Sequence, residues 1–354
     1  MGSAAQLALL PVVVGWGRMS GLGWVRAAGS SWQIGLALGQ AGRAAVHRHL
    51  LTTPLWRAVT GPAHLPRVAR MAGAVQADFP AIWQELEGLA QGLDLPVEQV
   101  FAWNCRGDLL AHAPEGCTTV MIPGAAPVIA HNEDGFPALR GSCFMAECHP
   151  QGAPDFIAFC YPGSIPGHTF AVTAAGLVQT VNNIRLTGVA PLIPRMVLGR
   201  AVLACDTLTA AVDCLQGAAS GGFHFALTHR RDRRLLSVEF GAGWVSVQEV
   251  SAPMVHANHA LHLPCGEGGQ IVTRSSSDRQ ARAEALLAQG RDPLTILRDT
   301  GGQGLPIRRD QADDPDAENT LATAVISVGA SDIRWRIHVA ATGGPDYSGL
   351  SGQA

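Results

Sequence analysis

The sequence predicts an α+β protein in which layered β-sheets are flanked by helices. The pattern is mainly helical up to about residue 111, and from Cys117 it changes to short β-rich runs bounded by glycine and proline. Helical blocks then separate further groups of strands, which argues against a helical bundle or a propeller. With 354 residues, 47% hydrophobic and 15% charged, the chain can fill a sizeable core.

Two helices are predicted shortly before the change. The apolar residues of AIWQELEGLAQGL recur at helical spacing after Pro80, and Gly92 with the Asp-Leu-Pro step at 94–96 ends this helix. A second helix begins at Pro96, a residue suited to a first helical turn, and turns Val100 inward. The segment before Cys117 is therefore interpreted as helices and linker.

Five runs after residue 116 predict strands: TTVMI, PVIAH, DFIAFCY, TFAVTAA and GLVQTVNNI. A helical block, RMVLGRAVLACDTLTAAVDCLQ, starts at Pro194 and is renewed at Asp206-Thr207. Further strands are predicted in FHFALTH, RLLSVEF, WVSVQEV and PMVHAN, and again in TLATAVISV and RWRIHVAA near the end. Between these two groups, SSSDRQARAEALLAQG reads as a helix with a serine cap and a glycine stop, and the polar tract 302–319 as an exposed loop.

Charge and cysteine usage limit the partners. The net charge is −3 and Lys and Arg form no run that would follow phosphates, so nucleic acid is not an expected partner. The apolar run at residues 7–14 is short and broken by Pro11, which fits neither a signal peptide nor a membrane span. The eight cysteines form no CxxC pair and suit a reducing, cytoplasmic compartment.

Cys117 occupies an unusual position, at the start of a predicted strand and directly behind Gly116. An internal cysteine needs an external base to become a thiolate, whereas a terminal cysteine carries an α-amino group with a pKa of roughly 7.7–8.0. Cleavage of the Gly116–Cys117 bond would convert the internal residue into such a terminus. Glycine at 116 would leave its own carbonyl open to attack by the following thiol.

Several motifs occur in a defined order along the chain. They are Gly-Cys-Thr-Thr at 116–119, Asn132-Glu133-Asp134, Val181-Asn182-Asn183-Ile184, Ala257-Asn258-His259 and Ser276-Ser277-Asp278-Arg279. Together with PAIWQELEGLAQGLDLPVEQVFAWNCRGDLL upstream and the closing strands, this set resembles the autoproteolytic N-terminal-nucleophile hydrolases related to isopenicillin N acyltransferase. The resemblance to bile salt hydrolases is more distant. The ordered set of motifs extends from about residue 30 to 342.

The resemblance implies a four-layer αββα sandwich of two antiparallel sheets flanked by helices. It also implies self-processing at Gly116-Cys117 into a smaller, mainly helical chain, 1–116, and a catalytic chain, 117–354, which remain associated in one structural domain. The freed Cys117 would attack an amide carbonyl to form a thioester, which water or an amine would resolve. No cofactor and no metal are implied, and a higher oligomer is left open.

Residue roles are carried over from the same resemblance. Asp134 matches the carboxylate that holds the α-amino group of Cys117, and the neighbouring Asn132 is expected to contact substrate. His131 stands where bile salt hydrolases have arginine, so it is expected to contact a substrate other than a conjugated bile salt.

The remaining polar positions complete the implied site. Asn258 matches the amide of the oxyanion hole, and Arg279 matches an arginine near the nucleophile. Asn182, or Asn183 if the strand register shifts by one, would supply a second polar contact, because alternate side chains of a strand face opposite sides.

Two other clusters carry weaker signals. His256, His259 and His262 are spaced by three, which on a strand places neighbours on opposite faces, and no glutamate completes a zinc-protease pattern. A metal site is therefore not predicted there. Cys143 and Cys148 are interpreted as core or loop cysteines.

Three functions follow as hypotheses. The leading one is a self-processing cysteine amidohydrolase or acyltransferase acting on a small-molecule acyl amide. The second is a thiol enzyme with an intact chain, in which Cys117 works with a histidine such as His131 or His259. The third is a binding protein that keeps the fold without the chemistry.

Overall fold

A computed structural model of the chain describes residues 21–113, 116–311 and 317–351. The apolar run at 7–14 lies outside these ranges. No helix in the described part is both long and apolar enough to cross a membrane.

The described residues contain ten α-helices. These are α1 Ser31–Ala45, α2 Pro54–Val59, α3 Leu65–Asp78, α4 Pro80–Leu93, α5 Val97–Asn104, α6 Arg106–Leu109, α7 Arg195–Val202, α8 Leu208–Asp213, α9 Arg274–Ala288 and α10 Pro293–Leu297. A π-helical turn at Val46–Leu50 and a 3₁₀ turn at Pro137–Leu139 accompany them. The two helices predicted before Cys117 are confirmed as α4 and α5, and Asp94 ends α4 in the left-handed conformation.

The strands of the described residues form two sheets. They are β1 Gly23–Gly29, β2 Gly116–Ile122, β3 Val128–Gly135, β4 Phe144–Pro150, β5 Phe156–Cys160, β6 Phe170–Thr173, β7 Leu177–Ile184, β8 Gly222–His229, β9 Leu235–Gly241, β10 Trp244–Glu249, β11 Met254–His256, β12 Asn319–Val328, β13 Ile333–His338 and β14 Tyr347–Ser351. The eight-stranded sheet has the order β1-β4-β5-β6-β7-β8-β9-β10, and the six-stranded sheet has the order β11-β2-β3-β12-β13-β14.

The two sheets pack face to face. Met145 and Phe170 of the eight-stranded sheet meet Ile326, Trp335 and Ile337 of the six-stranded sheet around a small apolar cavity. Helix α1 contacts β1 and β4 on one outer side, and helices α9 and α10 contact β2, β3, β11 and β12 on the other. The predicted α+β sandwich of two sheets with flanking helices is confirmed.

The structure differs from the sequence-based expectation in several elements. Strand β1 lies in the segment predicted as mainly helical and pairs in parallel with β4, so the eight-stranded sheet is not wholly antiparallel. Helix α9 is capped by Thr273, whose hydroxyl accepts from the Ser276 amide, and the predicted serine cap is wrong because the serines lie inside the first turn. The tract 302–319 is not simply exposed, because Arg309 and Glu318 are buried.

Glycines allow α1 and α4 to approach closely. A methyl group on Gly88 of α4 would lie 2.0 Å from the carbonyl oxygen of Trp32, and one on Gly35 of α1 would lie 1.9 Å from that of Glu85. Such distances are shorter than any van der Waals contact, so each glycine is required by the backbone of the facing helix. These helices form the layer that covers β1 and β4.

We expect Gly88→Ala to lower the free energy of unfolding by about 1–3 kcal/mol, because the added methyl group would force α1 and α4 apart. The control is Gly73→Ala in α3, where nothing lies within 4 Å of the added methyl group. That control should raise stability by about 0.5–1 kcal/mol, since alanine favours a helix over glycine. Urea unfolding monitored by circular dichroism measures both, and equal effects would contradict the close approach.

Candidate active site

The hairpin of β2 and β3 places Cys117 in its surroundings. Cys117 pairs with Glu133 and Thr119 pairs with His131 across the antiparallel ladder. Cross-strand partners share a face of the sheet. These four side chains therefore point between the two sheets, where Thr119 contacts Asn182 of β7. The alternate residues of the hairpin point towards α9 and α10.

The backbone of Cys117 is held on both sides of its α-carbon. Its amide N–H donates to Asn258 Oδ1 at 2.9 Å, and its carbonyl oxygen accepts from the guanidinium of Arg279. Arg279 is fully buried in α9 and also donates to Asn258 Oδ1 at 2.6 Å and to Thr118 Oγ1 at 2.8 Å. The structure thus brings Cys117, Asn258 and Arg279 together from three elements.

Asn258 owes its position to the edge of the six-stranded sheet. It follows β11, which pairs with β2, and its backbone N–H donates to Ser276 Oγ of α9 at 2.8 Å. Its Nδ2 donates to the Asn183 carbonyl oxygen at 3.1 Å. The side chain therefore presents its oxygen, and not its NH₂ group, to Cys117 in the intact chain.

The thiol of Cys117 faces a carboxyl group. Its Sγ lies 3.7 Å from Glu133 Oε2, and that oxygen lies 3.0 Å from Nε2 of His131. The hydroxyl of Tyr161 donates to the other oxygen, Oε1, at 2.6 Å. The Cys117 sulfur, one His131 ring nitrogen and one Glu133 oxygen all lie within 4.8 Å of one another.

Asn182 and Asn183 face opposite sides of β7. Asn182 accepts from Thr119 Oγ1 at 2.7 Å and donates to the His256 carbonyl oxygen at 3.0 Å, on the side of the thiol. The Asn183 side chain accepts from Arg195 of α7 at 2.5 Å. Of the two predicted positions, the structure brings the side chain of Asn182 towards β2.

Gly116 and Asp134 are paired on the face that looks towards the helices. The Asp134 Oδ1 accepts from Thr320 Oγ1 at 2.6 Å. A methyl group on Gly116 would lie 2.2 Å from Oε2 of Glu318, so the glycine fits against this carboxyl group. Glu318 in turn accepts from Arg309 at 2.6 Å. The predicted processing bond therefore begins beside a buried ion pair.

Burial governs the protonation states in this region. It raises the pKa of the Cys117 thiol well above its usual value, and Glu133 and Asp134 add to the rise while Arg279 opposes it. Burial also lowers the pKa of His131 to about 3. The pKa of Glu318 is raised to about 7 by burial, against the lowering effect of Arg309. The thiol is accordingly protonated at neutral pH in the intact chain.

The structure does not bring Asn132 to Cys117. Its side chain lies on the opposite face of β3, where it donates to the Leu297 carbonyl oxygen and accepts from Thr323 Oγ1. His131 is fully buried and bonded to Thr119 and Glu133, so it is not open to a substrate in this form of the chain. The substrate contacts expected of both residues therefore stay predictions.

Sequence reasoning missed Glu133 and Tyr161, which contact each other next to the thiol. Glu133 lies inside the motif at 132–134. If the two strand runs are joined in a hairpin that turns at Pro123-Gly124, the register places Glu133 opposite Cys117. Tyr161 follows β5 in the other sheet, so only the packing of the two sheets could have revealed it.

Each of the three spaced histidines bonds to a different side chain, and Glu239 lies close to two of them, since it is also 3.7 Å from His262 Nδ1. His256 contacts Glu239 at 2.8 Å, His259 contacts Ser276 at 2.8 Å and His262 contacts Ser246 at 2.8 Å. His259 is thus bonded to α9 and not to the hairpin that carries Cys117.

Cys143 and Cys148 are buried free thiols. The pKa of each is raised by burial, so both remain protonated at neutral pH. They behave as the core cysteines that the sequence predicted.

Comparison with known proteins places the chain in a family. Residues 121–341 match the acyl-coenzyme A:6-aminopenicillanic acid acyl-transferase family, which is more than half of the chain. The chain belongs to this family. The resemblance inferred from the ordered motifs is confirmed at the level of this family, and the match begins after Cys117.

One relative is the β-alanyl-dopamine/carcinine hydrolase of Drosophila melanogaster. It is 28% identical over 174 residues, which are 42% of this chain and 44% of the relative. The match thus spans less than half of the relative's length.

Proposed function

We propose that this chain is a self-processing cysteine enzyme that cleaves a small-molecule amide through a thioester on Cys117, with hydrolysis or acyl transfer as the second step. The observation that carries the proposal is the hold on Cys117, whose amide nitrogen faces Asn258 and whose carbonyl faces Arg279. Both contacts are made by side chains to backbone atoms of Cys117, in addition to the strand pairing that already positions this residue. The family and the relative support amide chemistry in general.

Processing would change the chemistry of Cys117. In the cleaved protein its nitrogen is an α-amine with a pKa of roughly 7.7–8.0, which can accept the thiol proton directly or through one water. Asn258 Oδ1 already lies 2.9 Å from that nitrogen and would accept a hydrogen bond from it. The terminal amine would then be oriented before a substrate arrives.

Turnover follows from this arrangement. The thiolate attacks the carbonyl carbon of the substrate amide, and the α-ammonium returns its proton to the departing amine as the C–N bond breaks. The resulting thioester is resolved by water, which gives hydrolysis, or by a second amine, which gives acyl transfer.

Two side chains would support the charges that develop. The Asp134 carboxyl lies on the strand next to Gly116, within the electrostatic reach of Cys117, and would balance the α-ammonium. Asn258 Nδ2 would serve the oxyanion after release from the Asn183 carbonyl oxygen, because it is committed to that acceptor in the intact chain.

The burial of Cys117 also favours processing. Only 3% of the residue is exposed, so a substrate has no direct route to the thiol while Gly116 precedes it. Cleavage would free the carboxyl end of the first chain to leave the Glu318 side of the site. That departure would uncover the amino end of Cys117.

The relative suggests where an activity screen should begin. It is named for hydrolysis of β-alanyl-dopamine and carcinine, so β-alanyl amides form the first set of substrates to assay. Alkanoyl amides and p-nitroanilides of similar size complete the panel, because the family is named for acyl transfer to another amine.

A second candidate is a thiol hydrolase with an intact chain. The observation that favours it is the cluster of the Cys117 sulfur, a His131 ring nitrogen and a Glu133 oxygen within 4.8 Å. In that case His131 with Glu133, and not an α-amine, would act as the base during turnover. The mass of the purified protein separates the two candidates.

We expect the purified wild-type protein to contain two chains, residues 1–116 and 117–354, that remain associated because both contribute to the main core. Cys117→Ala should remain one chain and lose turnover, since neither the acyl shift nor the thioester can form without the thiol. Denaturing mass spectrometry and an amide assay measure both properties. A fully active wild-type protein that stays intact would rule out self-processing and favour the second candidate.

Asn258→Ala should lower kcat by about 10²–10³-fold with little change in KM. It removes the oxyanion donor, which acts on charge that exists only in the transition state, and also the oxygen that orients the terminal amine.

Asp134→Asn should shift the pH profile of the rate as well as lower it, since it removes the charge beside the terminal amine. Steady-state kinetics across pH compare the two variants, each with its fraction of cleaved chain determined. A wild-type rate and an unchanged profile for Asp134→Asn would assign that carboxyl a structural role.

A further inference from the structure

We propose that Glu133, acting together with His131, is the base that removes the thiol proton of Cys117 during self-cleavage, whereas the α-amine takes over in later turnover. The inference rests on the proposed self-processing. It assigns two bases to one thiol, each at a different stage in the life of the protein.

The intact chain requires a base other than the α-amine. Before cleavage the nitrogen of Cys117 is an amide that donates to Asn258 and has no proton-accepting lone pair. The thiol is nevertheless buried and protonated, so its proton must pass to a group that lies within contact. Glu133 Oε2, at 3.7 Å from Sγ, is the acceptor that the structure offers to the sulfur.

Hydrogen bonds around Asn182 fix the direction of the neighbouring donors. The Asn182 Nδ2 donates to a backbone carbonyl, that of His256, so Oδ1 is the atom that accepts from Thr119 at 2.7 Å. A hydroxyl group has one hydrogen, and Thr119 donates it to Asn182. The contact of 2.8 Å between Thr119 Oγ1 and His131 Nδ1 therefore requires His131 to donate from Nδ1.

A proton must then lie between His131 and Glu133. With Nδ1 protonated, Nε2 of a neutral ring is a lone pair, and it lies 3.0 Å from Glu133 Oε2. Two lone pairs would repel at that distance, so the pair must hold a proton. Because burial lowers the pKa of His131 to about 3, that proton is on Glu133, and the pair is neutral overall.

The first step of self-cleavage moves two protons. The proton of Glu133 moves to His131 Nε2 while the thiol proton moves to Glu133 Oε2. The products of this step are a thiolate, a neutral glutamic acid and an imidazolium.

Bond exchange at Gly116 completes the cleavage. The thiolate attacks the Gly116 carbonyl carbon, and the C–N bond breaks as the Cys117 nitrogen takes the proton held by the Glu133 and His131 pair. The Gly116 thioester that results is hydrolysed by water, which adds hydroxide to the carbonyl carbon and a proton to sulfur. The products are the Gly116 carboxylic acid, the Cys117 thiol and a free α-amine, and the acid becomes a carboxylate by giving its proton to the amine or to water.

Other ionisable groups lie near the thiol, Glu133 and His131, on each of the elements that pack around them. They are Asp134 on β3, Arg279 on α9, Glu318 before β12, Tyr161 after β5, Cys143 before β4 and His224 on β8. Tyr161 donates to Glu133, Arg279 carries its charge throughout, and Asp134 lies on the opposite face of β3. None of these replaces the Glu133 oxygen that faces Sγ.

The test is Glu133→Gln, which keeps the shape and can still donate to His131 and accept from Tyr161. Chains are pulse-labelled in a cell-free system, and the appearance of the 117–354 fragment is followed by gel electrophoresis. We expect self-cleavage to slow by about 10²–10⁴-fold, the usual contribution of a positioned base. The slow reaction should accelerate about tenfold per pH unit, because hydroxide is the base that remains.

A matched control is Glu147→Gln on β4, which alters another strand glutamate close to a histidine, His149, far along the eight-stranded sheet. It should cleave at the wild-type rate. Once Glu133→Gln has cleaved during long incubation, its kcat per reactive thiol should fall by a smaller factor than its rate of self-cleavage, because the α-amine then acts as base. Thermal unfolding of each variant checks that it is folded.

His131→Gln provides a second variant, in which the side chain cannot take up a second proton. It should also cleave slowly. This variant tests the role of the pair even if Glu133→Gln does not fold. If the wild-type chain cleaves and either folded variant cleaves within threefold of the wild-type rate, the proposed role of Glu133 and His131 is wrong. The proposed self-processing is unaffected by that result. A wild-type chain that never cleaves overturns the proposed self-processing, and this inference with it.

Discussion

The antiparallel register between β2 and β3 is the constraint on which the candidate site depends. It sets Cys117 opposite Glu133 and Gly116 opposite Asp134, so the thiol meets one carboxyl group while the preceding residue meets another. A slip of one residue would exchange the two faces and place the thiol against the helices. The pairing of β3 with β12 reinforces the register, because Thr320 donates to Asp134 and Thr323 to Asn132.

A buried arginine connects this hairpin to the rest of the molecule. Arg279 donates to Cys117, Thr118, Asn258 and Ser275, so its charge is satisfied by four groups from β2, the end of β11 and α9 itself. An unpaired guanidinium in this position would cost several kcal/mol. Helix α9 is consequently fixed to the nucleophile by polar contacts as well as by the apolar cluster that it forms with β2 and β3.

Much of the fold could be predicted because its elements carry local signals. The helical spacing in α4 and the two apolar runs on either side of Pro123-Gly124 identified a helix and two strands without tertiary information. Strand β1 was missed because its glycine-rich sequence has little alternation and its stability comes from parallel pairing with the distant β4. Within the site, Cys117 stood out through its position behind a glycine, whereas Glu133 could be recognised only once the register was known.

The central claim is that Cys117 carries the acyl group, and it can be tested on the covalent intermediate itself. Processed protein is mixed with an acyl p-nitroanilide that it cleaves, quenched with acid before the steady state, and analysed by peptide mass spectrometry. We expect the mass of the acyl group to appear on the peptide beginning with Cys117 and to be removed by hydroxylamine, as a thioester requires. An acyl group on another residue, or a burst of p-nitroaniline without any acylated chain, would contradict it.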